Sequence, residues 1–116
     1  VPAAPTQNDN VSRTLNSNFT ISTTQRARCS YSINVSYGIA ALLSGSSAAF
    51  LEYSTNGGSS WTTVNNVGKT LSLLTIGGTD DLNLVGEVPA NALVRIRTTS
   101  SNMTVSYSRG QEVLYN

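Results

Sequence analysis

Ala27-Arg28-Cys29-Ser30-Tyr31-Ser32-Ile33-Asn34-Val35-Ser36-Tyr37-Gly38-Ile39 is the stretch on which the fold turns. Its odd positions are apolar or semi-apolar, and its even positions are polar or glycine. Side chains on a β-strand alternate between faces, so a period of two sustained this long marks a strand with one dry face and one wet face. Antiparallel sheets allow that arrangement, because their second face can stay solvated.

Working outward, β-rich runs recur at 11–15, 18–21, 48–54, 61–67, 70–76, 82–88, 92–99, 103–107 and 112–114. Between them stand Ser44-Gly45-Ser46-Ser47, Asn56-Gly57-Gly58, Asn65-Asn66, Gly77-Gly78, Pro89-Ala90-Asn91, Ser100-Ser101-Asn102 and Arg109-Gly110. Glycine and asparagine accept positive φ and proline presets a turn, so these read as chain reversals. Many short strands at such spacing predict an all-β, antiparallel β-sandwich or jelly roll. No segment has helical periodicity, and residues 39–43, Ile-Ala-Ala-Leu-Leu, are too few to hold a helix alone. Residues 1–10, with Pro2 and Pro5, read as an extended N-terminal arm, and residues 11–116 as one sandwich domain. The chain opens on Val1 rather than Met, which reads as a piece processed from something longer.

The 116 residues carry a formal net charge of +1, and only 11% are charged. That leaves no basic stripe for nucleic acid. Ser, Thr and Asn make up more than a third of the chain, so the surface is polar through hydroxyls and amides rather than ions. The single cysteine, Cys29, excludes an intrachain disulfide and shares the parity of Tyr31 and Ile33, which reads as a small buried hydrophobe. No apolar run is long enough to insert in a membrane, and no signal-peptide pattern is present.

Chemistry is read by elimination. Without histidine, Ser-His-Asp and Cys-His arrangements cannot be built, nor can a zinc site of His and Cys. Asp80 with Glu52 or Glu87 supplies a pair of carboxylates of the kind a glycosidase needs, but any domain with six acids offers such pairs. The oxygen-rich run Gly77-Gly78-Thr79-Asp80-Asp81-Leu82-Asn83 lacks EF-hand spacing and reads as a polar turn opening a strand. The expectation is a protein that is not an enzyme, with no cofactor and no metal.

Ser54-Thr55-Asn56-Gly57-Gly58-Ser59-Ser60-Trp61 resembles the Asp-box hairpin, Ser-x-Asp-x-Gly-x-x-Trp, with Asn56 at the acid position. The resemblance implies that Asn56 caps the turn. Trp61, the lone tryptophan, either packs beneath it or contributes a sugar-stacking surface. In residues 92–99, Ala92, Val94 and Ile96 face one way and Leu93, Arg95 and Arg97 the other. That second face is either solvated, or an arginine on it pairs with Glu52, Glu87 or Glu112 across an interface. The sequons at Asn10, Asn18, Asn34 and Asn102 arise easily in so polar a chain and are assigned no role.

Five segments carry a wider likeness: Ser12-Arg13-Thr14-Leu15-Asn16-Ser17-Asn18-Phe19-Thr20-Ile21-Ser22, Ser30-Tyr31-Ser32-Ile33-Asn34-Val35, Phe50-Leu51-Glu52, Val88-Pro89-Ala90-Asn91-Ala92-Leu93-Val94-Arg95-Ile96-Arg97-Thr98 and Gly110-Gln111-Glu112-Val113-Leu114. Together they resemble the C-terminal tip domain of tail-fibre proteins from tailed bacteriophages and prophages. The resemblance implies a trimeric β-sandwich head comparable to the tumour-necrosis-factor or C1q kind, joined by the N-terminal arm to a fibre shaft. It further implies a place on the virion and contact with the host cell surface, through a bacterial surface glycan or a protein receptor. Tyr31, Tyr37, Tyr53, Tyr107 and Tyr115 are candidates to fill a three-fold interface. The expected ligand-binding residues are Asn56, Ser59, Trp61, Asn65, Asn66, Thr79, Asp80 and Asp81, in polar turns. Two other readings remain: a structural trimerisation or capping module, and a carbohydrate-binding module of a secreted bacterial protein.

Overall fold

The computed structural model describes residues 5–37, 45–70 and 78–115. Its strands are β1 (Thr6–Asn8), β2 (Asn18–Phe19), β3 (Arg26–Tyr37), β4 (Ser46–Ser54), β5 (Thr62–Thr70), β6 (Gly78–Val88), β7 (Leu93–Ser101) and β8 (Met103–Tyr115). They form two antiparallel sheets, ordered β1-β8-β3-β6 and β2-β7-β4-β5. Face to face, these make a jelly-roll sandwich. No helix occurs among the described residues.

β3 is the spine of its sheet, paired with β8 along its whole length and with β6 from Ala27 onward. Ala27, Cys29, Tyr31, Ile33 and Val35 are at most 1% exposed. They share one core with Leu82 and Leu84 of β6 and with Leu51, Val94 and Ile96 of the opposite sheet. Each large aliphatic side chain so buried contributes about 1.5–3 kcal/mol. Burial pushes the Cys29 thiol up to about 12, so it behaves as packing. Tyr31 lies inside the sandwich and is unavailable to any subunit interface, which corrects its expected place there. Tyr37, Tyr53 and Tyr107 are half-buried and lean on the same core.

Several turn and strand expectations are overturned. Arg109-Gly110 is not a reversal, because β8 runs through it and residues 103–107 and 112–114 are one strand. A register shift places Ser32 opposite Arg109 but Ile33 opposite Tyr107, leaving Ser108 as an inserted residue. This bulge changes the phase of alternation, so Val105 and Tyr107 face inward before it and Gly110 and Glu112 after it. Asn65-Asn66 likewise lies within β5, beside a bulge at Val64. Gly78 to Asn83 belong to β6 rather than to a loop. Residues 11–15 form no strand. The expected strand at 70–76 beyond Thr70, the end of the alternating run at Gly38-Ile39 and the run 39–43 lie outside the described residues.

Within the segment read as an arm, Thr6–Asn8 pairs with Glu112 to Leu114 at the edge of the first sheet. The chain then crosses to the second sheet as a strap. The Val11 amide donates to the Gly110 carbonyl at 2.9 Å, and the Tyr107 hydroxyl donates to the Val11 carbonyl. Arg13 grips Glu112 with two hydrogen bonds of 2.9 and 2.8 Å, and the Tyr31 hydroxyl donates to the same carboxylate at 2.6 Å. Asn16, at φ 60°, closes the crossing: its amide donates to the Ile96 carbonyl at 2.8 Å, and its side chain exchanges two bonds with Thr98.

Gly110 makes this junction possible, because a Cβ there would stand 2.6 Å from the Tyr31 ring and would also meet the Tyr107 hydroxyl. Gly110→Ala is expected to lower stability by about 1–3 kcal/mol through overpacking. The measurement is the urea midpoint; an unchanged midpoint would mean that the two rings have room to move.

Candidate functional site

The hairpin between β4 and β5 is organised by its own side chains. The Asn56 side-chain oxygen accepts from the Ser60 amide at 3.0 Å and the Ser54 hydroxyl at 2.7 Å. Its side-chain amide donates to the Ser60 hydroxyl at 2.8 Å. The Ser54 oxygen also takes the Gly58 amide at 2.9 Å, while Gly57 and Gly58 hold φ of 74° and 95°. An asparagine thus does the capping expected at the acid position of this turn. The turn delivers Trp61 beside Gly58, half-buried and immediately before β5.

Register brings the rest of the site together on the outer face of the β2-β7-β4-β5 sheet. Glu52 stands opposite Arg95, and Phe50 opposite Arg97. Glu52 Oε1 accepts from Arg95 Nε at 2.8 Å and Arg97 Nε at 3.0 Å. Oε2 accepts from Arg97 Nη2 at 3.2 Å and Thr63 Oγ1 at 3.0 Å. The Arg95 guanidinium lies 3.9 Å from the centre of the Trp61 ring, and Arg97 lies 4.0 Å from that of Phe50. Such cation–π contacts fix the planes of both guanidinium groups. Hydrogen bonds from Arg97, then from Arg95 and Thr63, outweigh burial and hold the Glu52 carboxyl at about 2 rather than its ordinary 4.5. The result is a flat platform of alternating aromatic and guanidinium groups around one ionised carboxylate.

The expected binding residues do not converge. Asn56 and Ser59 sit at the hairpin beside the platform, and Trp61 is part of it. Asn65 and Asn66 lie midway along β5, where the Asn65 side chain accepts the Val85 amide at 3.1 Å and stitches the two sheets. Asn66 is exposed opposite Phe50. Thr79, Asp80 and Asp81 lie near the start of β6, opposite Ser36, Val35 and Asn34. Asp80 pairs with Lys69 at 2.8 Å, and Asp81 accepts from Asn34 at 3.3 Å. They are therefore strand residues, not members of a binding loop. Asp80 and Glu87 stand at opposite ends of β6, about 23 Å apart at ~3.3 Å per residue, far beyond the separation of a glycosidase pair. Glu52 is on the other sheet, bound by arginines.

The arginine pairing weighed from the sequence occurs within the chain. Phe50 and Thr63 were not anticipated, because only the register of β4 against β5 and β7 makes them neighbours. A concavity of about 360 Å³ opens on the outer face of the other sheet, lined by residues that include Asp9, Ser30, Ser32, Asn83, Arg109 and Gln111. Its signal in the sequence was the polar parity of 27–39, but its members come from three strands and the segment after β1.

The fold and this platform define an all-β jelly-roll domain with a stacked arginine–aromatic face. No protein-family model matches the chain, and no curated protein matches it. Among solved structures it is similar to Eiger TNF from S. frugiperda, with a TM-score of 0.55 and 8% identity. The alignment covers 85% of this chain and 64% of that one, and at such identity it establishes the fold alone.

Two outcomes are expected. Because the Glu52 carboxyl is depressed in the folded state, its stabilisation is present above about 4.5 and is lost as pH falls toward about 2. Glu52→Gln should therefore lower the melting temperature at neutral pH and flatten its decline across that window in thermal melts. At the hairpin, Asn56→Ala should cost about 1–2 kcal/mol in denaturant unfolding, and Asn56→Asp should cost less, since an acid keeps the acceptor that caps the turn.

Proposed function

We propose that this domain is the non-enzymatic receptor-binding tip of a bacteriophage tail fibre or spike, attaching the virion to a glycan on the bacterial surface. The observation that carries the reading is the platform of Trp61, Arg95, Glu52, Arg97 and Phe50 on an outer sheet face. Tryptophan and arginine are the residues on which binding energy concentrates at interfaces. Around them, Asn18, Thr63 and Asn66 are exposed and offer the neutral hydroxyl and amide groups that sugar hydroxyls pair with. Four of the five platform residues, all but Trp61, also lie in segments that carry the tail-fibre resemblance.

The jelly-roll fold agrees with the trimeric head that the same resemblance implies. Three copies on a rigid head would turn weak single sites into useful avidity. The working assembly in this reading is a homotrimer at the distal end of the fibre, acting at the host surface.

The test combines mass and competition. Light scattering on the purified domain should return three chains. The domain should compete with virions for host adsorption, and Trp61→Ala should weaken that competition by about tenfold or more. If Trp61→Ala competes as well as the parent, the platform is not the receptor site. If the domain never competes but its deletion abolishes fibre assembly, the domain is a capping module.

A further inference from the structure

We propose that the receptor glycan is acidic, and that the platform recognises a sugar carboxylate through Arg95 and Arg97. This rests on the receptor-binding reading above and specifies its ligand. The reasoning begins with charge. The chain carries a net +1. Arg13 pairs with Glu112, Arg26 with Glu87 and Lys69 with Asp80. Arg28 and Arg109 are matched in number by Asp9 and Asp81, and these four belong to the β1-β8-β3-β6 side of the sandwich. Counted by sheet, and with Lys69 cancelled by Asp80, the surplus falls on the β2-β7-β4-β5 side, where two arginines share the single carboxylate of Glu52. One arginine would neutralise it.

The second arginine is also incompletely used. Arg95 gives only its Nε to Glu52, and neither of its terminal nitrogens makes a hydrogen bond among the described residues. Arg97 spends Nε and Nη2 and keeps Nη1. Their side chains remain 27% and 39% exposed. Stacking on Trp61 and Phe50 holds each guanidinium flat, so little rotamer freedom is left to lose on binding. A planar, singly charged acceptor matches a guanidinium fork and cancels a surplus of one. A sugar carboxylate has that shape and charge. The exposed Asn18, opposite Arg95, and Thr63, opposite Glu52, stand beside it to meet ring hydroxyls.

The experiment is a glycan array printed with uronic-acid, neutral and glycerol-phosphate polysaccharides, probed with the intact domain and with Arg95→Gln. Arg97 alone still forks Glu52 in that variant, and a melting curve verifies its fold. The expected result is binding to uronic-acid glycans that weakens about tenfold or more in Arg95→Gln, and is lost when the bound polysaccharide is carboxyl-reduced. Binding should also weaken as salt rises, because the contact is exposed. Equal binding to neutral or carboxyl-reduced glycans, preference for glycerol-phosphate polymers, or full binding by folded Arg95→Gln would each overturn the assignment while leaving a glycan receptor in place. No binding to any glycan, with adsorption unaffected by the free domain, would overturn the receptor-binding reading itself.

Discussion

The Glu112 carboxylate is the fixed point of this molecule. It is 2% exposed, and it is held by both donor arms of Arg13 and by the Tyr31 hydroxyl. A charge that deep is tolerable only when its lone pairs are filled, and removal of one partner of such a pair typically costs 3–5 kcal/mol. Glu112 stands on β8, and its two partners come from the strap and from β3, so the cluster ties three parts of the chain together. The cluster thus fixes how the N-terminal segment leaves one sheet and reaches the other. From there β2 docks on β7, which sets Asn18 opposite Arg95. A contact buried between the sheets thus decides which polar side chain stands beside the platform on the far face.

What the sequence disclosed follows from how local each signal is. The alternation of 27–39 was enough to predict a half-buried strand, and its odd positions do form the core as far as the described residues reach. The hairpin from Ser54 to Trp61 was legible because its hydrogen bonds span only a few residues. β8 was not legible as one strand: the inserted Ser108 reverses the parity, so the pattern looked like two strands and a turn. Asn65-Asn66 looked like a turn for its composition, yet Asn65 uses its side chain to satisfy a backbone amide on a strand of the other sheet. Arg13 with Glu112 could not be read at all, since the two are brought together only by the closed sandwich. The platform falls between these cases. Arg95 and Arg97 announced an unusual strand face, but their shared partner depends on the β4–β7 register.

The two outer faces of the sandwich differ in kind. One carries serine, asparagine and glutamine around a shallow concavity, with its charges balanced in number. The other concentrates rings, guanidinium groups and the net charge in one place. A likeness in fold to a tumour-necrosis-factor structure says nothing about either face, because a jelly roll fixes the strand order and leaves the outward positions free. The separation has a physical source: alternate residues of a strand can vary without disturbing the core behind them.

The placement of β1 has a mechanical consequence. Thr6–Asn8 lies antiparallel against the last strand, with its hydrogen bonds perpendicular to the strand axis. Tension applied along β1 would load those bonds together, in shear, instead of opening them one after another like a zip. Beyond them come the bonds of Val11 to Gly110 and Tyr107, and then Arg13 in its buried fork, so a tug on this end meets three successive stops before it reaches the core.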